Sequence, residues 1–294
     1  MTKFPHDYLE GAGRDLAALY RKLLARLEVR LAPMLKRIQG ATPTEIAIIR
    51  STKEWQDGIQ ALKADVEKAI KMRAEVIGKG LNRGYRGKYT DILYQAESFA
   101  DTNLSAIRRQ AGKKAVDRIN ENIPGRPNVA RVLAGNAVSS QVRVAEKITQ
   151  LLTQPMTDKQ FCKALRQVVT SDYTRAARVL QSEGTRVVNG AAVDVFATLQ
   201  ETVIEGVRGV PGLVLVWIHD EPLTPRPYHR DVLHGSLPDR DGYWHEADGE
   251  KARGPGMFPS IEHNVGCRCT LDLMEYTEWQ STYGNLQPWS FDPS

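Results

Sequence analysis

The thiols and imidazoles of this chain gather late in the sequence. Cys267 and Cys269 stand one residue apart, and His229, His234 and His263 precede them. Thiolate and imidazole are the ligands a structural zinc ion takes, and a bound ion would tie distant loops together. The site so drawn comprises Cys267, Cys269, His229 and His234, with His263 as a further candidate. Against it, Cys-x-Cys is a shorter link than the common Cys-x2-Cys, and the short link strains two tetrahedral bonds to one metal. A packing arrangement competes: Asp220 paired with Arg226, His229 hydrogen-bonded to backbone, and the cysteines buried as small hydrophobes. That arrangement, with no cofactor, is the expectation, and zinc is the alternative. With Cys162 the cysteine count is odd, and a Cys267–Cys269 disulfide would close a very tight ring, so no disulfide framework is expected. Cys162 itself, beside Phe161 and Leu165, is expected in the core.

Carboxylates enlarge the chemical possibilities. His229, His234, His245 and His263 with Asp220 and Glu183 can be drawn as the centre of a metal-dependent nuclease, since imidazole and carboxylate hold hydrolytic metals. No nucleophile elbow and no phosphate-cradling glycine loop accompanies them. The expectation is therefore a protein that is not an enzyme.

The elements that must position these residues follow from periodicity. Apolar residues at Leu16, Tyr20, Leu23, Leu27, Leu31, Met34 and Ile38 make one helical stripe, with a kink or break expected at Pro33. Thr42-Pro43-Thr44-Glu45 reads as a capping box opening a second helix, whose face runs from Ile48 and Trp55 to Ile77. The glycine-rich basic stretch 78–87 should end that helix as a flexible loop. A third helix is expected from about Thr90 to Asn122, and a fourth towards Leu152. Beyond Pro155, Thr157 with Gln160 caps a short helix to about Val169. A longer one follows from about Ser171 to Gly206, interrupted at Gly184 and Gly190. Leu213–Ile218 is the one convincing strand. A short strand or helix closes the domain around Leu271 to Trp279. Trp55 and Trp217 read as core anchors, whereas Trp244, Trp279 and Trp289 sit where a partner surface is conceivable. The fold class is α+β: a basic helical region, residues 1–155, then a small, loop-rich mixed domain, residues 156–280, and a tail, residues 281–294.

On this framework sit Glu183, Arg186 and Asn189, spaced by three on one helix face, then Trp217-x2-Asp220 and Arg226-x2-His229. Gly235, Phe258-Pro259 and Cys267-Arg268-Cys269 follow. In this order the set resembles the C-terminal domain of the Mu F-like minor head proteins of tailed bacteriophages, the phage head morphogenesis family. The resemblance covers roughly residues 155–275. It departs from the pattern at Gly266, where asparagine is usual before the first cysteine, in a shorter Trp-to-Asp gap, and in the prolines flanking Arg226. It implies a structural and assembly role in the virion. Such a protein contacts the portal or the major capsid protein, in the head interior or at the portal vertex, and influences genome packaging or delivery. Assembly would take place in the bacterial host cytoplasm. The loops after the tryptophan-bearing strand should then fold back, so that the Arg-x2-His turn meets the cysteine pair.

Charge supplies a second partner. Residues 1–150 carry 27 Lys and Arg against 16 Asp and Glu, and the remainder 13 against 19, which together give the net +5. A basic half holds double-stranded DNA through its phosphates, without reading sequence and at a salt-sensitive affinity. Long striped helices also suit self-association. The longest apolar run is too short to span a bilayer and the first residues lack a secretory pattern, so no membrane contact is expected.

Overall fold

The computed structural model describes residues 3–100, 104–123, 125–154, 156–201, 203–204, 207–208, 212–220 and 227–284. Arg226, Pro225, Trp289 and the tail from 285 onward lie outside them, as does any pairing of Asp220 with Arg226. The described chain is mostly helical with a few short strands near its C-terminal end, an α+β fold. Its helices are α1 (Pro5–Ile38), α2 (Pro43–Ser51), α3 (Lys53–Ala100), α4 (Ser105–Arg108), α5 (Ala111–Asn120), α6 (Val129–Leu151) and α7 (Asp158–Glu201). Strands β1 (Val203–Ile204), β2 (Val207–Arg208) and β3 (Leu213–Ile218) follow, then a π-helical turn at His229–Leu233. Last come β4 (Trp244–His245), β5 (Lys251–Ala252), β6 (Thr270–Glu275) and α8 (Tyr276–Tyr283). No helix among the described residues is long and apolar enough to cross a membrane.

Several local expectations change. Helix α1 continues through Pro33, and Ile48 is exposed on the short α2, which buries none of its residues. The capping box of α2 forms: the Thr42 amide donates to Glu45 and the Glu45 amide to the Thr42 hydroxyl. Helix α3 does not stop at the glycine-rich stretch but runs through it. A Cβ on Gly84 would stand 3.1 Å from Leu9 and Val188, and one on Gly87 would stand 3.0 Å from Tyr8. These glycines are sites of close packing, and helix propensity is given up for that approach. The same holds in α7, a single helix where two were expected. A Cβ on Gly184 would meet Leu9 at 2.1 Å, and one on Gly190 would meet Arg118 at 2.7 Å. The helix expected from Thr90 to Asn122 is divided among the end of α3, α4 and α5. Trp244 and Trp279 are buried, contrary to expectation, and Cys162 is only half-buried.

Packing groups the chain into two units, each assembled from separated stretches. One comprises Ala12–Gly78 and Arg131–Ala177, the other Met1–Gly11, Lys79–Ala130 and Arg178–Ser294. The boundary read from composition at 155 falls within the first of these stretches' pairing, between α6 and α7.

In the first unit the expected stripe of α1, from Leu16 to Met34, is buried with Trp55, Ile59, Leu62 and Val66 of α3 and Phe161 and Leu165 of α7. One carboxylate stands at its polar centre. Asp172 of α7 accepts from Tyr20 of α1 at 2.5 Å, from Arg73 of α3 at 3.1 Å and from Arg143 of α6 at 2.7 Å. Arg73 also donates to Ser140 of α6 at 2.9 Å. Four helices are thus pinned at one point by charge-assisted bonds in a desolvated interior. Burial, reinforced by the Asp172 charge, raises the Tyr20 phenol above its ordinary range, so it remains a donor.

Asp172→Ala should lower unfolding free energy by roughly 3–5 kcal/mol, because the Arg73 guanidinium is left buried without its counter-charge. Arg30→Ala, which removes a half-exposed ion pair with Asp65, should cost less than about 1 kcal/mol. Urea titration of both variants measures the contrast.

Candidate functional site

The site is built on a two-stranded antiparallel ladder of β3 and β6, in register from Leu213↔Glu275 to Ile218↔Thr270. Alternation along β3 sends Val216 and Ile218 to one face, where they pack with Trp279. Trp217 goes to the other face, with ring centroids 5.4 Å from His229, 5.8 Å from Trp244 and 6.1 Å from Phe258. The free backbone edge of β3 is taken by the segment after the π-helical turn: the Trp217 amide donates to the Ser236 carbonyl and the Gly235 amide to the Trp217 carbonyl. That pairing delivers His229 and His234 to the end of the ladder.

Helix α7 fixes the other side. Glu183, Arg186 and Asn189 are all buried, and each secures a different segment. Glu183 faces two guanidiniums, Arg126 at 3.2 Å and Arg186 at 3.6 Å. Arg186 donates to the carbonyls of Glu121 and Pro127, and Arg126 to that of Gly256. Asn189 behaves as a strand residue would. Its amide donates to the Cys269 carbonyl at 3.0 Å and its oxygen accepts from the Leu271 amide at 2.9 Å. Thr185, one turn earlier, donates to the Cys267 carbonyl at 2.9 Å. Gly256 has a φ of +81°, and a Cβ there would come within 2.8 Å of the Arg186 backbone nitrogen. The loop can therefore lie directly on the helix only with glycine at this point.

The two segments expected to meet do so. Both thiols approach one imidazole nitrogen: Cys267 Sγ and Cys269 Sγ each lie 3.6 Å from His229 Nδ1. The other nitrogen, Nε2, is 2.5 Å from Glu246 Oε1. His229 therefore bonds a carboxylate and not the backbone. His229, Cys267 and Cys269 form a buried group whose ligand atoms all lie within 4.8 Å of one another. His219 stands with Nδ1 3.4 Å from Cys269 Sγ. His234 is not part of the group: its Nδ1 accepts the His219 amide at 3.1 Å, and its ring rests edge-on against Tyr283. Hydrogen bonding from Cys267, aided by His219 and His229, holds the Cys269 thiol well below its ordinary range against the opposing effect of burial. Burial disfavours a charged His229, but Cys269 and Glu246 outweigh it and shift the imidazole upward. Burial first, and His219 second, shift His234 downward.

The remaining candidates go elsewhere. Asp220 pairs with Arg268 at 2.8 Å, on the side of the Cys-x-Cys segment away from the thiols. His245 bonds Asp239, and His263 bonds Asp248. Asp248, Glu250 and His263 form a second, partly exposed group able to hold a cation. The histidines and carboxylates drawn together as a nuclease centre thus do not converge on one point, although His263 Nδ1 also lies 3.7 Å from the Glu246 oxygen that bonds His229. Sequence reasoning missed Glu246 and His219. Their one signal was adjacency, to buried Trp244 and to Asp220 at the end of β3.

Asn189→Ala removes the partner of buried groups at Cys269 and Leu271, each worth about 1–3 kcal/mol when left unmade. A loss of roughly 2–4 kcal/mol is expected, and thermal unfolding beside the parent chain measures it.

Comparison with known proteins leaves the site to be interpreted from its own residues, because no family model, no curated protein and no solved structure matches the chain.

Proposed function

We propose that the chain is a structural and assembly protein of a tailed-phage head. In this reading it docks to the portal or the major capsid protein and assists head morphogenesis and genome packaging or delivery. The observation that carries the reading is the use made of the motif residues. Glu183, Arg186, Asn189, Trp217, Cys267 and Cys269 are all buried, and Glu183, Arg186 and Asn189 bond neighbouring segments. Residues used in this way build a rigid module for display and docking. Gly266 fits the same pattern despite its departure from it. Its φ of +75° is the left-handed conformation that glycine and asparagine tolerate best, so either residue serves before the first cysteine.

Partners follow from the surfaces. Val138 and Val142, one turn apart on α6, are exposed, as is Val29 on α1. Such apolar residues suit contact with a protein neighbour. A shallow groove lined by Ala25, Arg26, Val29, Arg30, Asp65 and Lys68 carries more basic than acidic groups. It supports sequence-independent contact with the phosphates of packaged double-stranded DNA.

Tagged full-length protein recovered from infected cells should bring portal or major capsid protein with it, and recovery of neither would refute the docking role. The purified chain should retard duplex DNA, with affinity falling at least tenfold between about 50 and about 200 mM salt. Binding that ignores salt, or no binding, removes DNA from its partners.

A second reading, a metal-dependent nuclease acting on phage DNA during packaging, is favoured by one observation. The Asp248, Glu250 and His263 group is accessible and offers oxygen and nitrogen ligands. Incubation of the chain with plasmid and Mg²⁺ or Mn²⁺ decides it. The assembly reading expects intact plasmid; cutting that His263→Ala abolishes would replace that reading with the nuclease.

A further inference from the structure

Three donor atoms converge at the end of the β3–β6 ladder with the mutual spacing of metal ligands. Glu246 occupies His229 Nε2, so that nitrogen carries the ring's proton and Nδ1 presents a lone pair. That nitrogen faces two sulfurs at the same 3.6 Å. Tetrahedral zinc gives these distances directly. Bond lengths of about 2.3 Å to sulfur and about 2.05 Å to nitrogen set each sulfur–nitrogen edge at about 3.6 Å. His219 Nδ1 lies 3.4 Å from Cys269 Sγ, beside this group but not within 4.8 Å of all three of its ligand atoms.

We infer that Cys267, Cys269 and His229 form a structural zinc site, which His219, beside Cys269, moves in to complete as the fourth ligand, with Glu246 as the carboxylate that orients His229. The inference stands apart from the head-assembly reading, since it follows from the donor geometry alone.

The spacing objection to Cys-x-Cys does not hold here. The segment is neither helix nor turn and leads straight into β6, with its two flanking carbonyls held by Thr185 and Asn189. In extended chain, residues two apart project to the same side, so both thiols reach one point while Arg268 turns away to Asp220. The His229–Glu246 pair supplies the outer carboxylate that zinc-bound histidines ordinarily have, which fixes the tautomer and raises ligand basicity. Both cysteines and His229 are buried, as a closed structural centre requires and a catalytic one with an open position does not. His219 comes from the end of β3, His229 from the π-helical turn and the thiols from the start of β6. One ion would therefore join the π-helical turn to the adjoining ends of β3 and β6. On binding, the thiols release their protons to solvent and remain as thiolates.

The test uses the reduced full-length chain. Elemental analysis of protein purified without added metal should find one zinc per chain. Cobalt(II) added to the stripped protein should give the intense visible bands of a tetrahedral ion and the near-ultraviolet charge transfer of thiolate ligands. Cys269→Ser should abolish the charge-transfer band or reduce it by half. His219→Ala should alter the visible bands and weaken zinc retention against a chelator, whereas His245→Ala, on an exposed histidine, should change neither. Glu246→Gln should weaken zinc binding by about 10–100-fold without altering the cobalt spectrum. Absence of zinc together with no thiolate spectrum on adding cobalt to the parent chain would overturn the site, whatever the variants do. A His219→Ala spectrum identical to the parent's would overturn the fourth ligand.

Discussion

The backbone of the Cys267–Cys269 segment is held by side chains of α7, and the rest of the site depends on that attachment. A helix consumes its own amides and carbonyls, so it cannot join a neighbouring strand through its main chain. Thr185 and Asn189 do so in its place, one turn apart, reaching the carbonyls of residues 267 and 269 and the amide of Leu271. Once these are fixed, β6 begins at Thr270 in a set register with β3, and Trp217 is carried to the face where His229 and Phe258 pack on it. A primary amide suits the position because it donates and accepts within one plane, as a peptide group does. No apolar side chain of similar size could replace it without leaving buried main-chain groups unpaired.

Both units place charge in their interiors, and in each the charge is shared among several elements. Asp172 is approached by α1, α3 and α6, and Glu183 by the guanidiniums of Arg126 and Arg186. Those guanidiniums then satisfy main-chain carbonyls in the turn after α5 and in the loop before Phe258. An isolated pair in such surroundings would be weak support, since desolvation offsets most of the attraction. Distribution over two or more partners changes that balance. It also makes the geometry specific, because a guanidinium fork meets its acceptors in few orientations.

The helical stripes and the capping signals were legible in the sequence because they are local. Leu16 to Met34, Thr42 with Glu45, and Thr157 with Gln160 all act within a few residues of themselves. The glycines were misleading for the opposite reason. Gly84, Gly87, Gly184 and Gly190 read as breaks, yet each lies within a continuous helix, and what they admit (Leu9, Tyr8, Arg118) comes from distant parts of the chain. The meeting of His229 with the cysteine pair was expected from the ordered set of motif residues. The partners of that cluster were not, because Glu246 and His219 have no periodicity or spacing relation to the thiols. His234 was misplaced for a simple reason: a histidine in the right neighbourhood can spend its nitrogen on a backbone amide instead. Trp244 and Trp279, loop residues by pattern, lie in β4 and α8 and are buried against the two faces of β3.

The opposed directions of Arg268 and its two neighbours bear on misfolding. A two-stranded ladder rich in Val and Leu has little of its own to prevent one strand from sliding along the other. A slide of one residue would turn the guanidinium inward among Trp217 and Phe258 and expel both sulfurs into water. The tripeptide therefore acts as a ratchet tooth, admitting one alignment of β6 and penalising its nearest competitors.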